Sequence, residues 1–271
     1  LYWPCLIDPY LNKKEILDIV FQYIDNICLE SSVSSIEIMA NSSSLNKETY
    51  LHLIKKFSFL DMGYDSHILN TKEFSLMDIR PKYRQMLRKY EGKFQLSIIP
   101  STQVNPDIIK QYYDLHVLDS GGAHRPYETY VEQFKALSEK SFVTCAFDGD
   151  IPAGMLMIFI GKKEAYDASV AAHPQYAEFY VSHFLKLKAI EKLKDLNIDL
   201  YELGQAWFQP DSSHIPTKKN IGIDFFKTGW SRGKSRRIFS IKKFYTSVSI
   251  DNFLQNQKDK MKEFFLKNEG L

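Results

Sequence analysis

Apolar residues recur along this chain in two rhythms, one of three to four residues and one of two, and the alternation of the rhythms outlines the fold. Residues 13–29 place Ile16, Val20, Tyr23, Ile24 and Ile27 at helical spacing, with Asn12 positioned as an N-cap. Ser35 to Ala40 alternates around Ile36 and Ile38, Asn46 to Phe59 is helical through Tyr50, Leu53, Ile54 and Phe57, and Tyr64 to Asn70 suits a strand. The opening stretch therefore reads as α-β-α-β. Ser75 then reads as the cap of a helix running to Tyr90, with Ile79, Tyr83 and Leu87 inward and Arg80, Lys82, Arg84, Arg88 and Lys89 on the other face. Lys93 to Ile99 is a strand, Pro106 to Leu118 a helix, and Pro126 opens another where its fixed φ and missing N–H do no harm. Asp119 to Arg125, with Gly121 and Gly122, is a flexible turn between these two helices.

From Ser141 the pattern becomes simpler. Ser141 to Phe147, Ile151 to Ile160 and Glu164 to Ala171 are separated by the turns Asp148-Gly-Asp150 and Gly161 to Lys163, which spells an antiparallel meander. Gln175 to Leu196 predicts one long helix, and Ile198 to Leu203 a returning strand that ends in Tyr201-Glu-Leu-Gly204. A polar loop follows from Gln205 to Asn220, then a late strand from Arg236 to Tyr245 and a charged terminal helix from Asp251 to Lys267. No repeat or low-complexity tract interrupts the chain.

Composition narrows the class. Of 271 residues, 44% are hydrophobic, 14% aromatic and 25% charged, which fits one large or two modest folded domains and excludes a disordered chain. The longest apolar runs, such as Ala153 to Ile160, fall far short of the ~20 residues of a membrane-spanning helix. A net charge of +2 excludes a strongly basic nucleic-acid coat and leaves only local patches to consider. Cys5, Cys28 and Cys145 are odd in number and widely spaced, so they read as reduced, buried thiols rather than as a disulfide or zinc framework. No pair of histidines and a carboxylate has metal-ligand spacing, and no metal is expected. Leu1 to Leu11 lacks the basic start and long apolar stretch of a secretory leader, so a reducing, cytoplasmic setting is expected.

The order of meander, helix and returning strand resembles the acyl-transfer fold of the GNAT superfamily, and several segments resemble its Fem-type peptidyltransferases and related acyltransferases of cell-envelope glycan pathways. These segments are Arg80-Pro-Lys-Tyr-Arg84-Gln-Met-Leu-Arg-Lys89, the meander, Tyr201-Glu-Leu-Gly204, and Lys218-Lys-Asn-Ile-Gly-Ile-Asp-Phe-Phe-Lys-Thr-Gly-Trp230. The last is similar to the Phe-Lys-x-Gly-aromatic segment that closes the family's acceptor site. The resemblance implies an α/β fold with a mixed, largely antiparallel sheet flanked by helices, in tandem GNAT-like halves. It assigns 1–92 to an incomplete N-terminal half, 93–250 to a complete acyltransferase half and 251–271 to a C-terminal helix. The chain departs from ordinary GNAT enzymes at Ala171 to Phe179, where a glycine-rich turn would hold the coenzyme A pyrophosphate and no glycine is present. That departure favours an acyl group on a larger carrier, such as aminoacyl-tRNA, over acyl-CoA without excluding the latter; neither is expected as a tightly bound cofactor.

Amide formation needs a proton acceptor for the amine, a counter-charge for the carbonyl oxygen and a gap that brings the two reactants together. Within the resemblance, that gap lies where the strands ending near Ala171 and Gly204 splay. Glu202 stands at its edge as the proton acceptor, its bland alternative being a pair with a nearby lysine. Lys227, anchored by Phe225, Phe226 and Trp230, is placed to stabilise the oxyanion or grip phosphate. Seven basic and no acidic residues lie between Phe225 and Ile250, so with Lys218 and Lys219 the run suits phosphates of a nucleotide-linked acceptor or a tRNA end, or else forms a solvated edge. Arg84 and Arg88, four apart on one helix, are positioned to grip an anion. His116 and Arg125 flank the glycine turn, His173, Gln205 and His214 lie near the expected gap, and His183 reads as a packing histidine. No Ser or Cys sits in a nucleophile elbow, which fits direct attack by the amine. The expected activity is transfer of an acyl or aminoacyl group to an amine on a sugar nucleotide, peptidoglycan precursor or other glycan intermediate. A coenzyme A-dependent N-acetyltransferase of a small amine or amino sugar, and a binding or scaffold protein that kept the fold, are the two alternatives.

Overall fold

From Ala153 to Ile158 every side chain is buried, and a strand with that property must be covered on both faces. It is. The computed structural model describes residues 13–41, 47–207 and 216–268; Cys5, Asn12 and His214 lie outside the described residues. Its elements are α1 (Lys13–Glu30), β1 (Ser35–Asn41), α2 (Lys47–Phe57), β2 (Leu60–Asp61), β3 (Tyr64–Asn70), α3 (Pro81–Lys89), β4 (Gln95–Pro100), α4 (Pro106–Ser120), α5 (Tyr127–Leu137), β5 (Ser141–Asp148), β6 (Ile151–Ile160), β7 (Glu164–Ala172), α6 (Val181–Asp195), β8 (Leu200–Gln205), α7 (Lys218–Ser231), β9 (Ser235–Phe244) and α8 (Ser247–Asn268). The fold is mixed α/β with a mostly antiparallel sheet flanked by helices. Its residues form two compact units that interleave along the chain, one of Leu1–Ser66, Gln205–Phe226 and Ser235–Leu271, the other of His67–Gly204 and Lys227–Lys234.

In the first unit, β9 pairs antiparallel with both β1 and the short β2, in a register that sets Ile38 against Ile241. Leu17 and Phe21 of α1 and Leu53 and Phe57 of α2 pack on Ile38, Phe239 and Ile241. Three basic residues of β9 have acidic neighbours: Lys243 pairs with Asp25 at 2.6 Å, Lys242 lies 3.6 Å from Glu37, and Arg237 lies 3.8 and 3.7 Å from Asp61 and Asp65. In the second unit, Arg232 pairs with Asp78 at 2.8 Å. Part of the basic run thus lies in ion pairs, because acids distant in sequence return to it in space.

The second unit carries the meander. Strands β4, β5, β6 and β7 run antiparallel in that order, and β8 joins β7 in parallel. Helices α4 and α5 cover one face through Val143, Cys145, Met155 and Met157. Helix α6 covers the other, where a Cβ on Gly154 would stand 3.1 Å from Leu185 and 3.2 Å from Val181, so the glycine sets how closely the helix approaches. Cys28 and Cys145 are buried free thiols, and burial pushes the Cys145 thiol up to about 12.

Several element boundaries differ from the sequence reading, among them three that bear on the site; the terminal helix also starts earlier than Asp251, at Ser247. Ser75 caps a 3₁₀ turn at Leu76–Asp78 through a reciprocal capping box with Asp78, and α3 starts separately at Pro81. Proline forces Arg80 out of the helical region, so one continuous helix cannot form. The predicted helix from Gln175 divides into a 3₁₀ segment, Pro174–Phe179, and α6, with Tyr180 between them at φ 57°. The polar loop predicted to reach Asn220 ends earlier, since α7 begins at Lys218.

The close approach of α3 and α7 yields the first test. A Cβ on Gly229 would fall 2.2 Å from the Tyr83 ring, and Arg80 donates its backbone N–H to the Gly229 carbonyl at 2.9 Å. Gly229→Ala should destabilise the protein by at least about 2 kcal/mol in chemical denaturation, because neither ring nor backbone can yield without repacking. Gly222→Ala, in the same helix with open space around it, should be neutral or slightly stabilising.

Candidate active site

The parallel pairing of β7 with β8 is short. It joins Glu164 to Leu200, Ala165 to Tyr201 and Tyr166 to Glu202, after which both strands continue without pairing to each other. The cause lies on the other side of β7. Met157 pairs with Ser169 and the next residue, Ile158, with Asp167, so Ala168 is an extra residue bulged out of the ladder. A bulge bends its strand and sharpens the local twist, which carries the far half of β7 away from β8. The gap expected from the sequence is present.

Alternation then sorts the side chains around the gap. Tyr166 and Glu202, as register partners, leave the sheet on the α4 face. Glu202 is 9% exposed and Tyr166 40%. Two residues on, Gly204 has φ +89°, and a Cβ there would stand 2.9 Å from Lys227 Nζ and 3.8 Å from the Tyr166 hydroxyl. The missing side chain is therefore what admits the ammonium. Lys227 is held from below: Gly229 lies against Tyr83, and Trp230 lies with ring centroids 6.2 Å from Tyr83 and 6.1 Å from His183. The Phe-Lys-x-Gly-aromatic pattern thus has a local reason, with the glycine and tryptophan seating the turn that presents the lysine.

Asp167 and Tyr201 leave on the α6 face. There Lys186, 3% exposed, forms an ion pair with Asp167, and its Nζ lies 3.3 Å from the Tyr201 hydroxyl. Burial, and after it the charge of Lys227, pushes the Lys186 ammonium well below its usual range; the Asp167 carboxylate is the group opposing that push. Burial raises the Tyr201 phenol. Sequence reasoning missed this pair, although Lys186 is in phase with Ile190 and Leu193 on the buried stripe of α6. It also missed Tyr166.

The remaining candidates scatter. Arg84 and Arg88 come together, but beside a groove at β4. His116 and Arg125 share an aromatic cluster between α4 and α5: His116 lies 4.6 Å from the Tyr112 ring, and the Arg125 guanidinium 3.8 Å from the Tyr130 centroid. Burial and the Arg125 charge lower His116 to about 4. Tyr112 reaches Ser169 beside the bulge through its hydroxyl, so this cluster borders the α4 face of β7. His173 caps the 3₁₀ turn, accepting from the Gln175 N–H at 3.2 Å. Gln205, Lys218 and Lys219 belong to the first unit. Among the described residues, no three His, Cys, Asp or Glu side chains gather where a metal ion could sit, and no helix is long and apolar enough to cross a membrane.

Among solved structures, FemX aligns over 86% of this chain and 77% of its own at 11% identity, with a TM-score of 0.63. The chain has a Fem-like GNAT fold. L-PGS from Bacillus licheniformis aligns over 87% and 76% at 10% identity with a TM-score of 0.63. A tandem GNAT protein from the clavulanic acid biosynthesis pathway aligns over 88% and 73% at 11% identity, TM-score 0.57. No protein-family model and no curated protein matches the sequence.

Two predictions follow from the charges at this GNAT-like gap. Asp167→Asn leaves Lys186 buried without its counter-charge and should cost about 3–5 kcal/mol, whereas Asp167→Asn combined with Lys186→Met should recover most of the loss in a double-mutant cycle. A cost under about 1 kcal/mol for Asp167→Asn would show that the pair carries no charge. Burial also lowers His183 to about 4 from an ordinary value near 6.5. Its folded pKa is depressed, so the unfolded chain binds the proton first, and stability is complete above pH 6.5 and falls as pH drops toward 4. The loss should approach roughly 3 kcal/mol. His183→Phe should flatten unfolding free energy across that window.

Proposed function

We propose that this protein is an amide-forming acyltransferase in which an acceptor amine attacks a carbonyl held in the gap between β7 and β8. The observation that supports this most is the end of strand pairing at Tyr166 and Glu202, with a carboxylate, an ammonium and a phenol gathered around the opening. The acceptor enters from the α4 face. Glu202 takes the proton released as the amine nitrogen bonds to carbon, Lys227 balances the charge that develops on the carbonyl oxygen, and the carbonyl–oxygen ester bond of the donor breaks as the leaving oxygen takes a proton from the Tyr166 hydroxyl, which the proton held by Glu202 then restores. Tyr166 is the hydroxyl within reach of that leaving oxygen. No covalent enzyme intermediate is required.

The donor in this reading is an aminoacyl ester on a carrier. Ala171 to Phe179 contains no glycine, and the segment forms a 3₁₀ turn that separates the end of β7 from the start of α6. A pyrophosphate cradle of the coenzyme A type calls for close backbone approach at a helix N-terminus that directly follows the strand. On the α6 face, Lys186, Asp167 and Tyr201 fill the crotch of the gap that a pantetheine arm would need. Resemblance to Fem-type proteins, and the alignment with FemX and L-PGS, favour aminoacyl-tRNA as that carrier and an amine on a nucleotide-linked sugar, peptidoglycan precursor or glycan intermediate as acceptor.

The test is transfer from radiolabelled aminoacyl-tRNA, and in parallel from acetyl-CoA, to a panel of amino sugars and peptidoglycan precursors. Amide product from aminoacyl-tRNA is expected. Glu202→Gln should then lower kcat by about 10²-fold or more, and Lys227→Met by about 10²–10³-fold, with small changes in KM. Product from acetyl-CoA with free thiol release would transfer the reading to an N-acetyltransferase. Wild-type rates in both variants would remove these two residues from the chemistry.

A further inference from the structure

The second unit holds another concavity, three strand spacings from the gap. Counting from β7 through β6 and β5 to β4 at about 4.8 Å each places it roughly 14 Å away along the sheet. It is a groove of about 280 Å³ between α3, α6 and the edge strand β4. Leu87, Phe94, Phe184 and Leu187 form its floor, and the first three are each 8% exposed, so their hydrocarbon is reached only by something slender entering the groove. At about 30 Å³ for each water-sized group, that volume accepts on the order of ten heavy atoms.

The rim is shaped by Arg84. Its guanidinium donates to the carbonyls of Met77 at 2.8 Å and Ile79 at 2.7 Å, which pins the 3₁₀ turn so that Leu76 and Met77 stand at the lip, 44% and 69% exposed. Arg88, one helical turn further on, lines the same mouth, is exposed and has no side-chain partner among the described residues. Helix α3 carries Lys82, Arg84, Arg88 and Lys89 and no acid; Glu91, just beyond its end, is the one acid on the rim. An apolar trough with a cationic mouth matches a molecule of the inverse design.

We propose that this groove binds a single-chain anionic amphiphile, a hydrocarbon tail of about ten carbons lying on Leu87, Phe94, Phe184 and Leu187 with its carboxylate or phosphate head on Arg88 and the free edge of Arg84. The tail contributes area removed from water and the head selects direction. The site is independent of the transfer chemistry, so its test needs no turnover and leaves the proposed activity standing if it fails.

The experiment titrates decyl phosphate, below its micelle concentration, into protein labelled with ¹³C at methionine methyl groups, with calorimetry in parallel. Saturable one-to-one binding that shifts the Met77 methyl signal is expected. Arg88→Glu, a surface change that should leave folding intact, is expected to weaken it at least tenfold. Leu187→Trp, which fills the trough, is expected to abolish it, and decyl glucoside of the same tail length to bind at least tenfold more weakly. Inorganic phosphate should bind undetectably. Equal affinity for decyl phosphate in Arg88→Glu, an unmoved Met77 signal, or equal affinity for the neutral glucoside would each overturn the proposal. So would binding seen only with anionic phospholipid vesicles, which would make the rim a membrane-facing surface instead.

Discussion

One extra residue in β7 governs the shape of the candidate site. With Ala168 outside the ladder, β7 satisfies β6 on one side while its far half turns away from β8, and the parallel pairing stops after three residue pairs. A regular β7 would continue to pair, and Leu203 and Gly204 would be closed against it. Opening a sheet at its centre exposes backbone and side-chain polar groups that must find partners. The groups that meet this demand differ on the two faces: Tyr112 anchors Ser169 from the α4 side, and Lys186 with Asp167 and Tyr201 closes the α6 side. The gap is therefore a supported feature of the sheet, lined by Tyr166, Glu202 and Lys227 on one face and by a buried ion pair on the other.

That asymmetry explains why some of the site was legible in the sequence and some was not. The meander was plain because strict strand lengths and Gly-containing turns repeat between Ser141 and Ala172, and the register of a meander follows from its turns. Glu202 and Lys227 were legible through the resemblance of the short segments that carry them. Asp167 and Lys186 were hidden for a physical reason. A lysine in a helix also carrying Lys188, Lys192 and Lys194 reads as solvent-facing, and only the phase with Ile190 and Leu193 separates it from the others. An aspartate in a strand reads as its solvent side until a bulge changes the alternation.

Two misplaced boundaries trace to the backbone as well. Pro81 sits where the apolar rhythm continues through it, and periodicity alone joined segments that backbone sterics divide. Tyr180 at φ 57° is the sharper case. A tyrosine in the left-handed region is costly, and no sequence pattern announces it; Tyr176, buried against Phe94, and Val181, buried under Gly154, hold the two sides of that corner. The acidic neighbours of the basic run after Phe225 were hidden for the opposite reason. Its composition was read correctly, and its partners, Asp25, Glu37, Asp61, Asp65 and Asp78, are supplied from up to about two hundred residues away in sequence.

Within the second unit, the basic residues of α3 and Lys227 at the gap stand in settings that differ in a way that matters for chemistry. On α3, Lys82, Arg88 and Lys89 stand in water, where each attracts an anion weakly and is screened within about 10 Å at moderate salt. At the gap, Lys227 projects over the bare backbone of Gly204 and its field reaches the buried Lys186, whose own ionisation it opposes. Two lysines bracket the opening, Lys227 over Gly204 on the α4 face and the buried Lys186, paired with Asp167, on the α6 face. In the proposed reaction a carbonyl oxygen gains negative charge only as the amine attacks, and an ammonium placed as Lys227 is would favour that transition state over the bound ester. The bulge that opens the sheet and the glycine that admits Lys227 thus serve one end: they place a fixed charge where water has been replaced by strand.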